Sequence, residues 1–167
     1  YIQLPPDFDA SQHYPVLLTQ YSGPGSQQVC NRWTMDWEDA VVAKGYIVAC
    51  CDGRGTGYRG EEFKKQTYRD LGRLEREDQL SFARHLASLP YVDADRIGIY
   101  GWSYGGFMAL NCALHGNGLF RMAIAVAPVT SWRYYDTIYT EIYNGLPQDN
   151  AKGYDDNSPI THAAELS

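Results

Sequence analysis

The chain has 167 residues, 44% hydrophobic and 20% charged, which is one domain's worth and enough to bury a core. Its net charge of −6 argues against nucleic acid and anionic membrane as partners, since both want basic patches, and no apolar run is long enough to span a bilayer. The four cysteines (Cys30, Cys50, Cys51, Cys112) show no CxxC or Cys/His spacing, so no metal or other cofactor is expected and buried free thiols are.

In chain order, "PVLLTQY" (15–21) predicts a strand and "SGPGSQ" after it a Gly/Pro loop. "MDWEDAVVAKG" (35–45) predicts a helix stopped by Gly45. "YIVACCDG" (46–53) is a near-continuous apolar run, as a strand covered on both faces must be. Residues 54–72 read as a long polar loop. From Leu74 to Leu89 the pattern is helical: Leu80, Ala83, Leu86 and Ala87 share a face and Pro90 ends it. "RIGIYG" (96–101) predicts a strand, 104–115 a helix and "MAIAVAPV" (122–129) another strand. Residues 130–167 read as irregular with short helices, "YYDTIYTEIY" (134–143) being the best candidate.

Strands alternating with helices imply parallel pairing with crossover helices, hence an α/β fold with a mostly parallel sheet and flanking helices. No repeat or internal boundary divides residues 1–167. The chain opens at Tyr1 and stops at Ser167 in mid-pattern, so the expectation is a segment of a longer protein.

"GWSYG" (101–105) fits G-x-S-x-G between a predicted strand and a predicted helix. A nucleophilic serine must stand on a very tight turn. The flanking positions must be small because strand and helix backbones pass close there, and Gly101, Gly105 and Gly106 meet that need. The helix that follows aims its first amides at the site, which places the Tyr104 N–H to donate to an oxyanion. A second pattern, "GTGYRG" (55–60), fits G-x-G-x-x-G after a strand. No clean amphipathic helix follows it, and Glu75, Glu77 and Asp78 fall inside a helix rather than at a strand end. A flexible glycine loop is therefore expected instead of a dinucleotide site.

Four stretches, "GWSYGGFMAL", "CDGRGTGYRG", "QYSGPGSQ" and "AVAPVTSWRYYDTIYTE", resemble the catalytic domain of the dipeptidyl peptidase IV branch of the prolyl oligopeptidase family of serine peptidases. The likeness runs from about residue 3 to the end. It implies an α/β-hydrolase fold whose last strands and upstream β-propeller lie outside this chain. It also implies release of N-terminal dipeptides with Pro or Ala second, and an exported or periplasmic location in a bacterium. Carried over by motif, Ser103 is the nucleophile and Tyr21 supplies an oxyanion hydroxyl beside the Tyr104 amide. Val129, Trp132, Tyr135 and Tyr139 match the pocket for the proline ring. The i, i+3, i+7 spacing of Trp132, Tyr135 and Tyr139 would put them on one face of a short helix, where they could equally be core aromatics. Ile142, in "TEIYN", stands where the family usually has an arginine, so contacts beyond the proline pocket are expected to differ.

In this fold the triad order is Ser, Asp, His. Asp136, Asp149, Asp155, Asp156, His115 and His162 all follow Ser103, and none is expected to serve: His115 lies at the far end of the helix, and the aspartates lie in the pocket helix or a polar loop. The chain alone is therefore expected to be inert, and a sheet edge left open at 122–129 to drive homo-oligomers. The alternatives are another hydrolase of the fold (acylaminoacyl peptidase, prolyl oligopeptidase or esterase) or a non-catalytic binding relative.

Overall fold

The computed structural model describes residues 1–166. In chain order the elements are β1 (Ile2–Gln3), β2 (Tyr14–Thr19), α1 (Trp37–Val42), β3 (Ile47–Cys50), α2 (Glu61–Lys65), α3 (Arg73–Ala87), β4 (Val92–Trp102), α4 (Tyr104–His115), β5 (Met122–Val126), α5 (Thr137–Asn144) and α6 (Ala151–Asp155). Two 3₁₀ turns, Trp132–Tyr134 and Pro159–Glu165, complete it. The five strands pair in the order β1-β3-β2-β4-β5. All neighbours are parallel except β1, a two-residue edge strand that the sequence pattern does not reveal.

The strands' period of two divides their side chains between two very different faces. Val16, Leu18, Ile47, Ala49, Ile97 and Ile99 point to the side covered by α3 and α4, and with Leu86, Phe107, Met108 and Trp132 they form the main core. On the other side Leu17 and Val48 meet only Val42 of α1, with Val41 and Tyr100 at the margin. That face is open toward β5, where Met122 is 48% exposed; among the described residues nothing pairs with the outer edge of β5.

Several predicted boundaries move for local reasons. The 35–45 helix is only Trp37–Val42, because Asp36 caps it from outside the first turn and Asp39 returns a bond to the Asp36 N–H at 2.7 Å. β4 begins at Val92 rather than 96, since a register shift between Tyr14 and Val16 lets Tyr14 pair with Val92. β5 ends at Val126, where Ala127 turns to φ 42°. All four cysteines are free, but only Cys50 and Cys112 are buried; Cys30 and Cys51 keep part of their surface in solvent. No helix among the described residues is long and apolar enough to cross a membrane.

The 54–72 segment is not the flexible loop the glycines suggest. The Arg54 guanidinium grips Asp78 of α3, and the Arg54 N–H donates to the same carboxylate at 2.7 Å. The Gly25 and Gly57 N–H groups donate to the Gly55 and Ser26 carbonyls. A five-residue helix, α2, does open after Gly60. The acids downstream are engaged in structure: Asp78 holds Arg54, and Glu75 is buried under α4.

Candidate active site

Ser103 sits between the end of β4 and the start of α4 with φ 58° and ψ −114°, a conformation an L-residue holds only when its surroundings over-determine it. Main-chain atoms supply that constraint. The Ser103 N–H donates to the Val126 carbonyl at 2.9 Å, and the Ser103 carbonyl accepts the Phe107 N–H at 3.0 Å. A side chain at Gly101 would run into the Gly105 carbonyl, one at Gly105 would lie 2.5 Å from the Gln20 carbonyl, and one at Gly106 would lie 2.7 Å from the Val126 carbonyl. All three glycines are therefore steric requirements. Ser103 is partly exposed, and its hydroxyl makes no capping bond to α4, which leaves it free for chemistry.

The Tyr104 N–H is the first of α4 and has no intrahelical acceptor. The Tyr104 side chain points inward, fully buried, and its hydroxyl donates to Glu75 Oε1 at 2.7 Å. Tyr21 leaves β2 on the neighbouring strand end, its ring centroid 6.1 Å from that of Tyr104. Its approach is fixed from both sides. The Gln20 side-chain amide donates to the Gly105 carbonyl at 2.8 Å, tying this loop to α4, and Ser22 adopts φ 64°. Burial and the neighbouring Tyr135 and Tyr143 raise the Tyr21 hydroxyl above its ordinary pKa, so it stays a protonated donor.

Trp132, Tyr135 and Tyr139 do meet, but not on one helix. Trp132 opens a 3₁₀ turn, Tyr135 is extended, and Tyr139 belongs to α5, which starts afresh when Asp136 accepts the Tyr139 N–H at 2.7 Å. The rings converge all the same: Trp132 stacks on Tyr139 at 6.2 Å, and Tyr135 stands edge-on to both at 6.0 and 5.5 Å. Trp132 also packs on Phe107 and Tyr104 and is only 1% exposed, so it is a core residue whose edge backs the cluster. Tyr135 is 41% exposed and Tyr139 partly so, and these two offer the open aromatic surface. Val129 is buried at the start of the same segment. Ile142, one helical turn beyond Ile138 on α5, faces solvent at 61% exposure.

Several of the acids and histidines after Ser103 are engaged elsewhere in the structure. Asp136 caps α5, Asp155 pairs with Arg133, and Asp155 ends α6 rather than lying in a loop. His115 stands at the far end of α4, roughly 18 Å from Ser103 along the axis, with its ring 4.8 Å from that of His162. His162 spends its ring nitrogens on Glu165 and the Asp156 carbonyl. A cavity of about 510 Å³ lies at the opposite end of the strands, lined by Pro15, Val16, Ile97 and Met122, and contains none of the candidate residues. No cluster of His, Cys, Asp or Glu among the described residues could hold a metal.

Sequence reasoning missed the polar layer under the turn. Gln20, Gln79 and Glu75 are buried; the Gln79 side-chain amide donates to Ser22 Oγ and the Cys51 carbonyl. The one legible signal was "GRLE", the spacing with which Glu75 returns to the Gly72 N–H.

A parallel sheet that carries a serine on a strained strand-to-helix turn, with α3 and α4 packed beneath, is the N-terminal part of an α/β-hydrolase fold. Residues 33–167 match the model of the prolyl oligopeptidase family, and the chain belongs to that family of serine peptidases. It is 49% identical over 165 residues to a probable dipeptidyl-aminopeptidase B of Grosmannia clavigera, matching 98% of this chain and 17% of that protein. The corresponding protein of Pyrenophora teres is 50% identical over 165 residues, 98% of this chain and 18% of its own length. The crystal structure of Porphyromonas gingivalis dipeptidyl peptidase 4 superposes with a TM-score of 0.97 at 55% identity, over 99% of this chain and 24% of that one. The chain thus spans a quarter or less of the length of these relatives.

Proposed function

We propose that the protein carrying this chain is a serine exopeptidase that releases N-terminal dipeptides with Pro or Ala in second position. The observation that carries the reading is a free serine hydroxyl on a strained turn, with a half-open aromatic cluster built directly onto the same helix. The names of the relatives support it. Ser103 Oγ attacks the carbonyl carbon of the second residue, and its proton passes to a base. The Tyr104 N–H and Tyr21 hydroxyl bind the oxyanion. Collapse breaks the C–N bond as the leaving amine takes the proton; water then hydrolyses the acyl-enzyme. Tyr135 and Tyr139, backed by Trp132 and Val129, hold a flat proline ring or a small alanine side chain, apolar groups suited to aromatic faces.

His115 stands at the far end of α4 and the ring nitrogens of His162 are hydrogen-bonded, so in this reading the base and acid of the triad come from the rest of the protein, and the chain alone is inert. The same resemblance carries export in a bacterium. The open edge of β5 favours pairing with a second copy, which sedimentation of the chain at micromolar concentration reads. The first experiment is release of p-nitroaniline from Gly-Pro-p-nitroanilide by the full-length protein. Ser103→Ala is expected to cut kcat by on the order of 10⁶ with the fold unchanged. Hydrolysis of an N-blocked Gly-Pro substrate instead would favour an oligopeptidase, and no wild-type turnover would sink the reading.

A further inference from the structure

Glu75 is 0% exposed, deep under the nucleophile turn, with no cation among the groups that face it. Its Oε2 accepts the Gly72 N–H at 2.9 Å, which closes the first turn of α3. Its Oε1 accepts the Tyr104 hydroxyl at 2.7 Å. A buried carboxylate is costly unless it is well hydrogen-bonded, and a Phe–Leu pair would fill this space without that cost. The core therefore does not need the pair. The groups facing Glu75 are Tyr104 of α4, Tyr139 of α5 and Asp70 from the loop before α3, none of them a cation.

The turn supplies the reason. Ser103 and Gly105 are fixed by main-chain and Gln20 contacts, but the Tyr104 N–H between them has no acceptor of its own in the helix. The Tyr104 N–H shares its peptide plane with the Ser103 carbonyl, which accepts the Phe107 N–H, so one side of that plane is held by the helix; the other side, Tyr104 itself, is anchored by packing on Phe107 and Trp132 and by the single bond to Glu75. We propose that Glu75 is a positioning residue: through the Tyr104 hydroxyl it braces the Tyr104 end of the peptide whose N–H receives the oxyanion. The inference rests on Ser103 as the nucleophile with the Tyr104 N–H as an oxyanion donor.

The test uses Glu75→Gln, Tyr104→Phe and the double variant of the full-length protein. A peptidyl boroproline forms a tetrahedral adduct on Ser103 and loads the oxyanion site; an aminoacyl pyrrolidide fills the proline pocket without an oxyanion. Each single variant is expected to lower kcat on Gly-Pro-p-nitroanilide by about 10- to 100-fold per active serine and weaken the boronate by a similar factor. KM and pyrrolidide affinity should stay within about twofold, and the double variant should be no worse than the worse single one. Tyr104→Phe removes one oxygen and keeps the ring, so it decides the matter even if Glu75→Gln does not fold. Wild-type kcat in Tyr104→Phe, or boronate and pyrrolidide weakened in step, would overturn the proposal. A wild type that ignores the substrate would fell the peptidase reading alone. The rate of fluorophosphonate labelling of Ser103 then decides about Glu75: slower in both variants supports it, unchanged overturns it.

Discussion

At the Ser103 turn the main chain is held by other main chain: Val126, Gly105 and Gln20 carbonyls sit where side chains would otherwise go. At the aromatic cluster about 30 residues on, a 3₁₀ turn, an extended residue and a helix are brought together mainly by their rings, with one long main-chain bond from the Tyr135 N–H to the Trp132 carbonyl. The first region has no tolerance in position and is set by steric exclusion. The second is held by dispersion and burial, graded from a sealed Trp132 to a half-open Tyr135. A nucleophile needs the first kind of support, because misplacing an attacking atom by an ångström is costly. A pocket that holds an apolar ring needs only the second.

The sharpest way to break this contrast is at Gly101. A methyl there meets the Gly105 carbonyl and the Gln20 amide, both fixed parts of the turn. Gly101→Ala is expected to destabilise the full-length protein by more than about 4 kcal/mol or to prevent folding, the exceptional range for one substitution. Thermal unfolding checks it, and a loss under 1 kcal/mol would mean that the turn has slack.

Within the cluster the grading itself predicts a split. Trp132→Ala opens a cavity in the main core between Phe107, Tyr104 and Tyr139 and should cost about 3–5 kcal/mol in denaturant unfolding. Tyr139→Ala removes a partly exposed ring; it should cost less stability while raising KM for Gly-Pro-p-nitroanilide at least about tenfold. A reversal of that order would show that Trp132, not Tyr139, is the open wall.

Beneath the turn the difference is electrostatic. Burial pushes the Glu75 carboxyl up to about 7, against the hydrogen bonds from Tyr104 and Gly72 that pull it down. The folded protein therefore holds this proton more tightly than the unfolded chain between the ordinary 4.5 and about 7. More protons are bound when folded, so stability falls as pH rises through that window, by roughly 3 kcal/mol, and is level outside it. Glu75→Gln should remove that slope from unfolding curves taken at pH 4.5 and 7.5.

The same contrast explains what could be read from the sequence. The turn was legible because its requirements are local: the end of a strand, a serine, three glycines and the start of a helix follow one another directly in the chain. The sheet was legible because β2, β3, β4 and β5 are apolar runs separated by helical patterns. The spacing of Trp132, Tyr135 and Tyr139 predicts one helix face, whereas the three rings meet from a 3₁₀ turn, an extended residue and α5. A spacing of i, i+3, i+7 cannot show that the chain stretches out at Tyr135 before α5 begins. Glu75 and Gln79 stayed hidden because a polar residue in a helix reads as solvent-facing until the element above it is placed.

Asp136 offers the finest probe, because it makes the break that the spacing conceals. Its carboxylate accepts the Tyr139 N–H and starts α5 at Thr137, which aims the Tyr139 ring back at Trp132. The residue is exposed and joins no ion pair among the described residues, so its effect is that of a helix cap alone. Asp136→Ala should cost about 1 kcal/mol of stability, and Asp136→Asn, which still caps, much less. If the cap also aims the ring, Asp136→Ala raises KM several-fold while kcat holds, since Ser103 and its glycines are untouched. A fall in kcat with KM unchanged would tie α5 to the turn, and the two regions would then have to be treated as one.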